Sequence, residues 1–454
     1  MLPEKNIQLT QTGAETSMGK VLRRYWLPAF LSSELAKPDS PPVRLRLVGE
    51  NLVGFRDTDG KVGILGANCP HRGAPLFFGR NENGGLTCIY HGWKFDTSGN
   101  CLATPNVPTS EDENFCSKIH HTAYPTLEHG GIIWTYMGPT ETKPDQLPPL
   151  EWVGLGEEQR LVTKQLLECN FVQAMEGDFD PSHLSFLHGT VDAYSTYGDR
   201  LAARGQDVAP EPADGILTPE LDRMYWHRDP QPTITVMPTP YGMFSGARRE
   251  GGPTTYYWRF NQFVMPFYAG VPWDTGELAQ CNVWVPRDDY TTVVWRVSYN
   301  PNGPVLSKDR ERLLEGFDAH MSPNDYAEPT EEPQSEWYPH RNRHNDYGID
   351  RNAQSTDSFT GIYGIWAQDR AVTEGMGSII DRSKERLVSS DAPIAHIRNL
   401  LLTSAKDLDE SNIPPPSEKD FPRMTVVEDC LRKREEDWES VGKSVLAQVT
   451  SGVN

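Results

Sequence analysis

Residues 69–95 read CPHRGAPLFFGRNENGGLTCIYHGWKF. Cys69 and His71 stand with one residue between them, Cys88 and His91 with two, and sixteen residues separate the pairs. Each pair runs into a glycine-containing turn, Arg72-Gly73 and Gly92-Trp93, so two hairpin-like loops can face each other across one ion or cluster. Pro70, Arg72, Tyr90 and Trp93 stand around the four ligand types, able to shield such a centre and to donate hydrogen bonds toward it.

Two Cys and two His in paired spacing are compatible with a structural zinc site, which would make the chain a zinc-stapled binding protein. Zinc pairs usually repeat one residue type in each half, however, whereas each half here is mixed, C-x-H and then C-x-x-H. A Rieske two-iron two-sulfur cluster wants this mixed set, two thiolates on one iron and two neutral imidazoles on the other. Exchanging thiolates for imidazoles removes negative charge and raises the reduction potential, which suits an electron acceptor.

The rest of the chain narrows the reading. At 454 residues it exceeds one ordinary hydrophobic core, so two domains are expected. No apolar run approaches the roughly 18 residues that span a bilayer, and Met1–Thr10 lacks the order of a secretory signal, so a cytoplasmic protein without membrane contact is expected. Seven cysteines, an odd number over a long chain, do not resemble a secreted disulfide framework. Reduced thiols used as ligands fit better, with Cys101, Cys116, Cys169, Cys281 and Cys430 as ordinary small buried groups. The net charge is −20, from 63 Asp and Glu against 43 Lys and Arg, with no basic stripe, so nucleic acid is excluded as a partner. The same field repels an anionic substrate, and a carboxylate ligand would require a local arginine cluster.

Residues 17–138 read as short strands between turns: PVRLRLVGENLVGFRDTDGKVGIL alternates apolar and polar residues, with Asp59-Gly60 marking a hairpin. GPTETKPDQLPPLEW, residues 138–152, is the natural boundary. Residues 150–405 mix strand-like stretches such as YYWRFNQFVMPFY and TTVVWRVSYN with a helical one, GIWAQDRAVTEGMGSIIDRSKERLV, and are expected to be α+β. Residues 406–454 read as a proline-broken linker and then a charged amphipathic helix over 423–449 that packs back on the body.

A second constellation lies in NFVQAMEGDFDPSHLSFLHG, residues 170–189. In a straight helix His183 and His188 would point roughly 140° apart, so sharing a metal requires a bend or bulge between them. Two imidazoles and a carboxylate form the facial triad of non-haem iron(II) oxygenases. The plain alternative is a helix cap, Asp180 followed by Pro181, with two core histidines. A third ligand must come from elsewhere. In AQDRAVTEGMGSIID an ideal helix puts Asp369 on a stripe with Val372, Met376 and Ile380, an acid on an apolar face, while Glu374 points away. Such a carboxylate needs a metal, or an arginine such as Arg382.

Through MGKVLRRYWLPAF, CPHRGAPLFFGRNE, EGDFDPSHLSFLHG and QDRAVTEGMGSIIDRSKERL, nearly the whole chain resembles the oxygenase α subunits of Rieske non-haem iron aromatic oxygenases, in the subgroup of phthalate 4,5-dioxygenase. The resemblance implies an N-terminal all-β Rieske domain and a catalytic domain with a curved antiparallel sheet covered by helices. It implies a two-iron two-sulfur cluster on Cys69, His71, Cys88 and His91, and iron(II) on His183, His188 and Asp369. Asp180 falls where the family places an acid bridging a cluster histidine of one subunit to an iron-ligand histidine of the next. Many relatives carry Asn at the position of Gly177, and Asn170 is a candidate to supply the hydrogen bond lost with it. A homotrimer or hexamer, a separate NAD(P)H-dependent reductase of flavin or ferredoxin type, and dioxygen are implied as partners. The chain itself lacks a nicotinamide or flavin fingerprint.

The implied reaction is hydroxylation of an aromatic acid by dioxygenation, or alternatively O-demethylation of a methoxylated one. GARREGGPTTYYWRF offers Arg248, Arg249 and Arg259 beside aromatics as carboxylate contacts. Arginines on exposed strand faces paired with neighbouring acids are the competing account.

Overall fold

The computed structural model describes residues 1–108, 114–191, 211–212, 217, 219–272, 278–316, 320–417, 421 and 429–450. The N-terminal part is built from small antiparallel sheets. In one, Val43–Leu47, Glu50–Arg56, Val62–Gly66 and Ala123–Tyr124 lie side by side. The alternation of residues 43–47 is realised directly, with Leu45 and Leu47 buried and Arg44 and Arg46 toward the outside. The turn expected at Asp59-Gly60 closes the next hairpin: Gly60 takes a φ of +84° and its N–H donates to Asp57 O at 3.0 Å. A second four-stranded sheet, Arg80–Glu82, Gly85–Thr87, Lys94–Phe95 and Cys101–Ala103, carries the second Cys-His loop between its middle strands.

The C-terminal part holds, among the described residues, an eight-stranded antiparallel sheet. Its order runs Arg160–Leu167, Thr292–Tyr299, Ala279–Pro286, Tyr268–Gly270, Thr255–Val264, Gly242–Glu250 and Thr233–Thr239. The eighth strand corrects an expectation. Residues 430–433 form a strand beside Thr255–Trp258, and the terminal helix begins only at Trp438, so 423–449 is not one helix. The short strand Tyr268–Gly270 pairs with Cys281–Val283 on one side and Gln262–Val264 on the other, and Cys430–Lys433 pairs at the other end of the long strand. The terminal helix then lays Val441 and Val445 on Phe244, Trp258 and Phe260.

One apolar core joins the two parts. Leu9, Met18, Trp26 and Trp134 from the N-terminal half pack in the same cluster as Val283, Trp295 and Val297 of the large sheet and Leu401 of the helix Ala392–Ser411. That helix runs unbroken through the expected 405/406 division and is covered from below by the helices Pro3–Thr10 and Ser17–Leu22. The tip of the first hairpin, Val48-Gly49, donates backbone hydrogen bonds to Pro286 O and Arg287 O, tying the strands that lead to residue 69 to the large sheet. Burial on this scale, at about 25 cal/mol per Å² of apolar surface, holds the two parts in a fixed relation. Among the described residues no helix is long and apolar enough to cross a membrane.

The helix read over residues 364–388 is shorter than expected, Ile365–Gly375, and ends where Gly377 takes a φ of +93°. Its orientation also differs. Val372 and Met376 are exposed, whereas Trp366, Ala367, Arg370 and Glu374 are buried. Polar partners decide this: Glu374 accepts from Tyr347 Oη at 2.6 Å and from Glu168 N at 3.0 Å, and Arg370 donates to Gln165 Oε1 at 2.6 Å. A hydrogen-bonded charged side chain can be buried in preference to a free Val or Met.

Candidate metal centres

The two Cys-His loops are built alike. Cys69 N–H donates to Ala74 O at 2.8 Å and Gly73 N–H returns to Cys69 O at 2.9 Å; Cys88 N–H donates to Trp93 O at 2.7 Å and Gly92 N–H returns to Cys88 O at 2.9 Å. Gly73 and Gly92 take φ values of +74° and +76°, which lets each chain turn back within five residues of its cysteine. At Gly92 a Cβ would also stand 2.6 Å from Pro105 Cγ. Both cysteines are buried, and His71 stacks on Trp93 with centroids 4.5 Å apart and meets the His91 ring edge-on at 4.6 Å. Trp93 is itself held by Asn106 Oδ1 at 2.7 Å. Burial, with the neighbouring Cys88 thiol, pushes Cys69 up to about 11. His71 Nδ1 is buried without a hydrogen-bond partner among the described residues. A metal cluster answers both conditions, since it takes thiolates and imidazole lone pairs together.

The second centre depends on a break in the chain. The helix Phe171–Glu176 tightens to a 3-10 turn over Gly177–Phe179, and Asp180 is extended, with φ −108° and ψ 90°. A second 3-10 turn starts at His183. This break removes the angular separation of a straight helix, and the His183 and His188 rings lie 5.0 Å apart, Nε2 to Nε2 3.2 Å. Asp369 Oδ1 comes from the helix Ile365–Gly375 to 3.4 Å from His188 Nε2 and 3.9 Å from His183 Nε2. One ligand atom from each of the three lies within 4.8 Å of the others. Arg382, the competing partner for Asp369, pairs with Glu176 at 3.3 Å and Asn6 at 2.9 Å instead.

The outer nitrogens fix the inner ones. His183 Nδ1–H donates to Asp180 O, and His188 Nδ1–H donates to Gln368 Oε1 at 2.7 Å, so both Nε2 lone pairs point at the common space. Gln368 is anchored in turn, its Nε2 donating to Ile362 O at 2.8 Å. Nothing in the sequence marks Gln368 except its place beside Asp369. Gln368→Leu is expected to lower mononuclear iron affinity by about 10- to 100-fold, the usual effect of losing an imidazole's outer partner. Iron titration of the stripped protein, followed by metal content, reads this; unchanged affinity would show that His188 is held by packing alone.

Asp180 is a turn cap that also faces His183. Its Oδ1 accepts from Ser182 N at 2.9 Å, as a turn cap does, and its Oδ2 stands 3.9 Å from His183 Nδ1 with the side chain 28% exposed. Asn170, by contrast, does not reach the site. It caps its own helix through Val172 N at 3.2 Å and donates to Thr10 O and Asp289 O, fully buried. At Gly177 a Cβ would meet nothing within 4 Å, so the missing side chain leaves open room on the pocket wall.

The pocket over the triad is walled by Asp178, Asn282, Trp284, Arg296 and Trp366. Burial pushes Asp178 up to about 6, against the pull of Arg296 and the hydrogen bonds from Asn282 at 2.9 Å and Trp284 at 2.5 Å. The three expected arginines are placed unevenly. Arg248 turns to the other face of its strand and lies over the Tyr256 ring at 4.4 Å. Arg249 is buried against backbone, donating to Asp229 O at 3.0 Å and to Pro181 O at 2.5 Å. Only Arg259 of the three lines the pocket, and it is held by Asp429 at 2.7 Å and Pro272 O at 2.6 Å.

Residues 25–124 match the family model for the Rieske [2Fe-2S] domain, and residues 135–451 match the model described as LigXa C-terminal domain like. The chain is 34% identical over 444 residues to the phthalate 4,5-dioxygenase oxygenase subunit of Pseudomonas putida, which covers 96% of this chain and 94% of the relative. It is 35% identical over 421 residues to the 3-chlorobenzoate-3,4-dioxygenase oxygenase subunit of Comamonas testosteroni, 91% of each. Among solved structures, the NdmA QL mutant of Pseudomonas putida CBB5 with caffeine shares the fold at 16% identity and a TM-score of 0.54, over 93% of this chain and 100% of that one.

Proposed function

The chain belongs to the Rieske non-haem iron oxygenases as an oxygenase subunit, and from that premise we propose that it hydroxylates an aromatic carboxylate with dioxygen, fed with electrons by a separate NAD(P)H-dependent reductase. We assign the cluster to Cys69, His71, Cys88 and His91, the iron to His183, His188 and Asp369, and the link between centres to Asp180. When bound, the cluster supplies single electrons and the iron supplies the site of dioxygen activation. The single observation that carries the reading is the convergence of two tautomer-fixed imidazoles and one carboxylate in an aromatic and polar pocket.

The protein's own groups divide the work. His183 and His188 present Nε2 because their Nδ1 protons are spent on Asp180 O and Gln368. Trp284 and Trp366, with centroids 6.1 Å apart, wall the ring space and exclude water. Asp180 leaves one oxygen for a cluster imidazole of a neighbouring copy. The loop tips beside the cluster expose Phe78, Ile89 and Tyr90, and the helix bearing Asp369 exposes Val372 and Met376. Exposed apolar rims at both centres support a homotrimer or hexamer in which one copy's cluster docks beside another's iron. The domain limits 17–138 and 150–405, the latter carried on to the end of the helix at Ser411, and a cytoplasmic location belong to the same proposal.

Product identification tests it. Purified protein with a ferredoxin-type or flavin reductase, NADH and a panel of phthalates, chlorobenzoates and methoxybenzoates is expected to give a cis-dihydrodiol from at least one acid. Formaldehyde from a methoxybenzoate, with no dihydrodiol, would replace dioxygenation by O-demethylation. Zinc in place of iron and acid-labile sulfide would overturn the metal assignment.

A further inference from the structure

Resting on the reading of this chain as an oxygenase of aromatic acids, we propose that Arg296 holds the substrate carboxylate. Arg296 lies in the middle strand Thr292–Tyr299, directly opposite Asn282 of Ala279–Pro286, with Gln280 opposite Ser298. Alternation along these strands sends Cys281, Val283, Trp295 and Val297 to one face and turns Gln280, Asn282, Trp284 and Arg296 to the other, where they line the pocket with the triad and Trp284 also belongs to the apolar core. One wall of the pocket is therefore the sheet face that carries Gln280, Asn282 and Arg296.

Arg296 is 2% exposed, and its bonding is incomplete. Nη1 donates to Asn282 Oδ1 at 2.7 Å, while Nε and Nη2 are buried without a hydrogen-bond partner among the described residues. Those two N–H groups share one edge of the planar guanidinium and point the same way, the fork that receives both oxygens of a carboxylate. The guanidinium sits over the Trp366 ring, with the Trp284 ring centroid 5.8 Å away. A buried cation with an empty fork is costly unless an anion arrives.

The anions of the pocket attract Arg296 without bonding to it. Asp178 spends its oxygens on Asn282 and Trp284, and Asp369 faces the histidines. Arg296 makes no ion pair within 4.0 Å among the described residues. Arg259, the other cation on the wall, has its own fork taken by Asp429 and Pro272 O. A carboxylate on Arg296 would bring its ring into the pocket that the triad also lines. It would also answer how a chain of net charge −20 retains an anion: the attraction is local, buried and unscreened.

Equilibrium titration of the holoenzyme with benzoate, phthalate and 3-chlorobenzoate, each against its carboxamide, tests the assignment without turnover. Wild type is expected to bind at least one acid about 10- to 100-fold more tightly than its amide, as a charge-assisted fork should. Arg296→Gln should lose that preference while amide affinity, cluster absorption and iron content are unchanged, and Arg296→Lys should recover part of it. If Arg296→Gln lost its metals, Arg296→Lys would decide, since a point charge cannot reproduce the fork and must weaken the acid selectively. An undiminished preference for the acid in Arg296→Gln, or in Arg296→Lys where that variant decides, overturns the role of Arg296 and leaves the oxygenase reading standing. Wild type that bound none of the acids but bound neutral methoxyarenes would overturn the substrate class and this inference together.

Discussion

Asp369→Ala is expected to abolish turnover and empty the mononuclear site while the visible spectrum of the N-terminal cluster is unchanged. The two imidazoles are neutral donors, with Nε2 atoms 3.2 Å apart, and Asp369 is the acid placed to balance the charge of a divalent ion between them. Losing a ligand should cost more than the about 10- to 100-fold lost with a supporting partner. Metal analysis after desalting reads the iron, and reductive titration reads the cluster. Full iron occupancy in the variant would mean that another acid serves, and Asp178, on the same wall, would be the residue to replace next.

Asp180→Asn is expected to keep both metals and nearly all stability, yet to slow electron arrival at the iron by about 100-fold. The substitution preserves an oxygen for Ser182 N–H, so the turn that positions His183 survives, and His183 Nδ1 bonds to the backbone oxygen of residue 180, which the mutation leaves in place. What disappears is the negative charge facing His183 from 3.9 Å and its capacity to accept a second imidazole proton. Rapid mixing of the reduced protein, with substrate, against oxygenated buffer follows reoxidation of the cluster. A wild-type rate would reduce Asp180 to a turn cap, a role that Asn fills equally well.

The site was legible in uneven measure. Wherever the relevant geometry is local, residue type and spacing were enough: Cys-x-His-x-Gly and Cys-x-x-His-Gly dictate two similar turns, and the 140° mismatch between His183 and His188 required the break that appears at Asp180. The large features of the C-terminal part were less readable. The stripe through Val372 and Met376 was assigned to the interior by hydrophobicity, yet Glu374 and Arg370 went inside because Tyr347 and Gln165 were waiting for them. The strand Cys430–Lys433 was hidden in a charged stretch, since its pairing with Thr255–Trp258 is made by backbone groups that carry no sequence signature.

The arginines make the same point at the pocket. Arg248, Arg249 and Arg259 stood out by clustering in sequence, whereas Arg296 in TTVVWRVSYN looked like any strand arginine. Whether an arginine is free depends on partners such as Asp429, 170 residues from Arg259, and on which face of a sheet a helix covers. By itself the sequence determined the candidate ligand types, their pairing into two constellations and the turns that present them, because steric and dihedral constraints act over a few residues. The tertiary structure alone decided which outer partner fixes each imidazole, which carboxylates are already satisfied and which guanidinium fork is left open, because burial and hydrogen bonding are settled between segments that only folding brings within 3 Å.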